Sequence, residues 1–217
     1  MKSSNRLTSQ ACAFVLGAGA LALPLLGSAE SNVQTGAATS SPGATAHVDF
    51  SIVIPKILYL RVGTGSSYTT GALTANPAVD LITFSPTASQ VGSGTAIAGT
   101  GGDLSGGVET AAVVSNGGNV TLNATANGAL SDGAGDSIAF TQITTAASTL
   151  TSATALPAPV LTNATSANVV LTAPASKVIV QDAKWTYSYA NTATVASGTY
   201  GGVNVNNGRV VYTATMP

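Results

Sequence analysis

A catalytic site needs a base, a nucleophile or a metal, and this chain offers few residues for any of them. His47 is the only histidine and Cys12 the only cysteine among 217 residues. Ser-His or Cys-His chemistry therefore has a single candidate base. His47 opens an alternating apolar stretch, where an exposed or rim histidine is the simpler expectation. One imidazole with no thiolate does not make an ordinary zinc site. Asp103 lies within GGDLSGG, and Asp132 and Asp136 bracket DGAGD. Carboxylates on such Gly-rich loops can ligate calcium. The EF-hand pattern is absent, however, and Asp, Asn and Gly are what turns use in any case. Glycoside hydrolysis needs two carboxyls a few ångströms apart, one with a raised pKa, and eight scattered acids single out no pair. GTGGDLSGG lacks the Lys-Ser/Thr of a phosphate-binding loop and its strand-to-helix setting. Asn119, Asn123 and Asn163 each head an N-x-T match, which a chain this rich in Asn and Thr produces by chance. Trp185, Tyr187 and Tyr189 share one strand face and offer either a sugar-stacking platform or a core wall. The polar opposite face (Lys184, Thr186, Ser188) favours the wall. The expectation is a non-enzyme with no catalytic residues, no metal and no cofactor.

The elements around these residues carry more information. AHVDFSIVIPKILYLRVG, residues 46 to 63, alternates more clearly than any other stretch. Its even positions include Val48, Phe50, Ile52, Ile54, Leu58, Leu60 and Val62. Successive side chains of a strand point to opposite faces, so one face is almost continuously apolar. Pro55 donates no ladder hydrogen bond and marks an edge, a bulge or a break between two shorter strands.

Only 7 % of residues are charged, against about a quarter in an ordinary soluble domain. The abundance of Val, Ile and Thr argues against disorder. Lys2 and Arg6, then ACAFVLGAGALALPLL, then GSA, form the three parts of a signal peptide over residues 1–29. Its removal leaves no cysteine, so no disulfide is available to the exported chain. Five basic residues then face eight acids, a net charge of −3 without a basic patch, which argues against nucleic acid as a partner. No later apolar run approaches the ~20 residues of a spanning helix. The expected location is the periplasm, the cell surface or the medium.

Residues 30–45 read as a flexible leader of linker composition, and residues 46–217 as one domain. Strand candidates follow at 79–84, 110–115, 119–126, 137–143, 168–173, 183–190, 203–205 and 209–216. Asn116-Gly117 and Asn207-Gly208 stand between strand runs, a strong hairpin signal. No amphipathic helix and no fixed repeat is present. The expectation is an all-β sandwich of about eight antiparallel strands, immunoglobulin-like in kind.

Signal peptide, leader, the alternating face Val48, Phe50, Ile52, Ile54, and the closing GRVVYTATMP together resemble fimbrial subunits of Gram-negative bacteria, in particular the chaperone–usher pilin group. WTYSYANTATVASGTYGG, residues 185–202, has the same character. The resemblance implies a pilin-like sandwich lacking one strand, with residues 47–54 as a donor strand for the next subunit and the last strand flanking the acceptor groove. It implies a homopolymer or other pilin-like subunits as partners, with a periplasmic chaperone and an outer-membrane usher. The chain departs from that pattern in lacking a disulfide, in the ~17 linker residues before the alternating stretch, and in placing its last aromatic at Tyr212. Two other readings stay open. Residues 46–62 can be the first strand pair of a self-complete sandwich, and the protein can be a monomeric secreted module binding carbohydrate or an envelope protein.

Overall fold

The computed structural model describes residues 31–39, 42–64 and 73–217. The expected signal peptide lies outside them. The chain divides into two units, one ending at Val53 and the other running from Ile54 to Pro217. Every described residue of the first unit is exposed, and none belongs to a strand.

The second unit is all-β apart from one 3-10 turn, Phe140–Gln142. Its strands are β1 (Leu58–Val62), β2 (Ile82–Thr83), β3 (Ile97–Ala98), β4 (Thr100–Gly101), β5 (Val108–Ser115), β6 (Val120–Ala126), β7 (Leu130–Ser131), β8 (Ser137–Ile138), β9 (Ile143–Ser148), β10 (Val169–Leu171), β11 (Ile179–Tyr189) and β12 (Val210–Thr215). One sheet runs β1-β5-β11, and β11 also pairs with β3 and β9. A second sheet runs β10-β6-β12. All these pairings are antiparallel.

Sequence periodicity explains how the two sheets face each other. β6 alternates strictly, burying Val120, Leu122, Ala124 and Ala126 while Thr121, Asn123 and Thr125 point away. β11 buries Trp185, Tyr187 and Tyr189 on its apolar face. Trp185 packs on Tyr212 of the opposite sheet, ring centroids 5.3 Å apart. The Tyr187 and Tyr212 hydroxyls meet at 2.9 Å. The Trp185 Nε1–H donates to the Leu156 carbonyl at 2.8 Å, which satisfies the one polar atom of a ring with no exposed surface. β5, flanked by β1 and β11, is buried from Glu109 to Ser115.

Several local expectations change. The alternating stretch enters a strand only at Leu58, after Pro55. Residues 203–205 form no strand, and 79–84 keeps only Ile82–Thr83. Asn116-Gly117 is not a hairpin, because β5 and β6 lie in different sheets. Gly118 takes the left-handed backbone there, φ 104°, whereas a two-residue type I′ hairpin needs positive φ at both Asn and Gly. The turn is a corner between layers. β9, ITTAAS, and the first four residues of β11, IVQD, carry no sustained alternation of apolar and polar residues to mark them.

Candidate functional site

The sandwich is closed on one side and open on the other. The inward side chains of β6 are buried, whereas Val210, Tyr212 and Ala214 of β12 are only half-buried. Every residue of β1 is half-buried as well. Among the described residues β1 pairs only with β5 and β12 only with β6, so each leaves one backbone edge without a strand partner there. Residues of both strands are among those lining a groove of about 1330 Å³. Leu60, Phe84, Phe140, Tyr189, Val210 and Tyr212 are among the side chains that line it. Residues 73–86 form one wall, and Val195–Asn204 contribute to the rim. Burial raises the Tyr212 hydroxyl pKa to about 12 and Tyr187 well above its ordinary value, so both floor hydroxyls stay neutral. An unpaired edge beside an apolar groove is a place where proteins accept another strand.

The leader is the complementary feature. Val48, Phe50, Ile52 and Ile54 are 69 %, 89 %, 86 % and 75 % exposed. Isolated exposed apolar side chains are common, but five within residues 48–54, Val53 among them, are not. Asn116 fixes where the chain enters the second unit's sheet. Its Nδ2 donates to the Pro55 carbonyl at 2.8 Å, and the Ile57 N–H donates to its Oδ1 at 2.7 Å. The Asn116 N–H adds a bond to the Ile57 carbonyl at 3.3 Å. Lys56 Nζ donates to the Pro217 carbonyl at 2.7 Å, which places the entry point beside the end of the chain.

The groove wall also holds a carboxyl cluster that the spacing of the acids did not reveal. Glu109 is 4 % exposed. Its Oε2 and the Asp80 Oδ2 converge beside Gly63, and the Asp103 N–H donates to Oε2 at 3.3 Å. Burial, followed by the charges of Asp80 and Asp103, pushes Glu109 up to about 8 against the backbone bond that opposes the shift. Asp80 is also penalised by burial, but the Thr64 N–H and hydroxyl, Glu109 and Arg61 outweigh this and hold it low. Arg61 is committed to Asp103 at 2.9 Å. Between about pH 4.5 and 8 the folded chain thus holds a proton on Glu109 that the unfolded chain has released. Stability must therefore fall as pH rises through that window. Thermal unfolding at about pH 5 and 8.5 is expected to show this fall, and Glu109→Gln is expected to flatten it and raise Tm at the alkaline end by several degrees.

The remaining candidates are structural. Asp132 Oδ1 accepts the N–H groups of Ala134, Gly135 and Asp136 and closes its own loop. Asp103 caps Thr110 N–H at 2.7 Å while paired to Arg61. No group of three or more metal-ligating side chains occurs among the described residues. Trp185, Tyr187 and Tyr189 are all buried, and Tyr187 and Tyr189 also line the groove. Among the described residues no helix is long and apolar enough to cross a membrane. No protein-family model, curated protein or solved structure matches the chain.

Proposed function

We propose that the protein is an exported structural subunit of the cell surface, which assembles when residues 47–54 of one copy enter the groove of another. The observation that carries this reading is the pairing of an exposed apolar stretch with an apolar groove lined by β1 and β12, which among the described residues each pair on one side only. The lengths agree. The six residues of β12 span about 20 Å, and residues 48–54 in extended form span about 23 Å. Main-chain hydrogen bonds to a free edge would supply affinity, and alternate side chains would supply register. Four large apolar side chains at roughly 1.5–3 kcal/mol each would make the joint long-lived. The binding-module reading has less to support it at Trp185, which has no exposed surface, although Tyr187 and Tyr189 line the groove.

The test compares the full chain with a chain lacking residues 30–54, by size exclusion. The full chain is expected to form oligomers. The shortened chain is expected to aggregate or unfold, and a synthetic 46–57 peptide to restore a soluble folded form. A shortened chain that stays a folded monomer and ignores the peptide rules the reading out.

A further inference from the structure

We propose that the Glu109–Asp80 carboxyl pair is a proton-held latch that fixes residues 73–84 as a wall of the groove, and so governs how fast a strand lodged there exchanges. The inference rests on the strand-uptake reading above and adds its regulation.

The geometry starts at Gly63, just beyond β1. A Cβ there would lie 2.5 Å from Asp80 Oδ2 and 2.6 Å from Glu109 Oε2, so both carboxyls converge on one face of the glycine. Gly63 has φ 81°, a backbone that favours glycine. Asp80 belongs to the wall and Glu109 to β5 at the centre of the sheet. Thr64 donates its N–H and its hydroxyl to Asp80, the latter at 2.7 Å. Thr64 thereby ties the Asp80 carboxylate to the chain just beyond β1, where it faces Glu109 of β5. Two carboxyls hydrogen-bond to each other only when one carries a proton.

Among the described residues Arg61 is the cation that acts on the pair, and it is shared with Asp103. From β1, Arg61 faces the cluster, but its guanidinium bonds Asp103 and the Gly63 carbonyl. From the loop before β5 comes Asp103, another acid. From β11 and β12 come the Tyr187 and Tyr212 hydroxyls, which a charged Glu109 raises further. Glu109 is the acid whose proton is retained, because it is the more deeply buried and carries the fewer donors. Loss of that proton sets two carboxylates against each other. Asp80, with its half-exposed wall, is the partner that can move. Leu73, Leu81 and Phe84 of that wall then cease to hold the edge of the groove.

The test uses the full chain and reads two things between about pH 6.5 and 9.5. Subunit exchange is followed by energy transfer after mixing donor-labelled and acceptor-labelled assemblies. Hydrogen exchange over residues 73–81 is compared with that of Glu109→Gln at each pH, which cancels the intrinsic pH dependence. The glutamine amide can donate to Asp80 at any pH. Wild-type exchange is expected to accelerate by about tenfold or more, the equivalent of at least one pKa unit, with protection of 73–81 lost in parallel. The Gln variant is expected to stay slow and protected throughout. Identical pH profiles for the two chains overturn the latch. A chain that never assembles, or assembles equally well as Phe50→Asp/Ile52→Asp, overturns the strand-uptake reading, and the latch then stands or falls on the hydrogen-exchange comparison alone.

Discussion

Trp185→Ala is expected to lower the unfolding free energy by about 3–5 kcal/mol, enough to unfold a domain of ordinary stability in part. Three losses add up at one position. The ring has no exposed surface, so its removal leaves a cavity that the two rigid sheets cannot close. The tilted contact with Tyr212, the main aromatic link between the sheets, disappears. The Leu156 carbonyl loses its donor in a buried setting, where an unpaired acceptor costs about 1–3 kcal/mol. Trp185→Phe separates these effects. It restores most of the ring volume but not the N–H, so its cost should fall near that last figure. Urea denaturation monitored by circular dichroism measures both variants. Full stability in Trp185→Ala would mean that the ring does not lie between the sheets.

Asp182→Ala should cost about 2–4 kcal/mol by the same measurement. Asp182 is fully buried. Its Oδ1 accepts the N–H groups of Thr151 at 2.9 Å and Ser152 at 2.8 Å, and the Thr151 hydroxyl bonds its other oxygen. Hydrogen bonds to a charged acceptor contribute about 1.5–3 kcal/mol each, and the donors become orphans when it goes. The figure is set below the simple sum because Thr151 is exposed and water can reach it. Asp182→Asn keeps an acceptor oxygen and should lose about half as much. Hydrogen exchange should show Thr151 and Ser152 opening first in the Ala variant, since the carboxylate holds these two while Gln181 and Trp185 bind residues 154–156. Unchanged protection there would remove Asp182 from this role.

The physical origin of these effects shows where sequence reasoning succeeded. The central lengths of β5, β6 and β12 were legible because each is half-buried or flanked by clear turn residues, and alternation survives under those conditions. β11 was legible only from Ala183 onward. Its first residues, Ile179 to Asp182, mix buried and exposed positions because a connecting segment covers their outer side. Asn116-Gly117 misled for a related reason. An Asn-Gly pair reports that the chain turns, not whether the flanking strands then pair or part into separate sheets. The carboxyl cluster was invisible because Asp80, Asp103 and Glu109 are joined across three separate segments, and no spacing rule connects them.

The order of residues alone fixed the all-β character, the lack of cysteine beyond residue 12, and the alternating apolar row at 48–54, because these depend on composition and a period of two. Only the tertiary structure decided that the row stands exposed, that β1 and β12, each paired on one side only among the described residues, line a common groove, and that Glu109 and Asp80 meet there. Periodicity specifies which side of a strand is apolar. Which neighbour covers that side is set by the pairing of distant segments, and that pairing has no local signature.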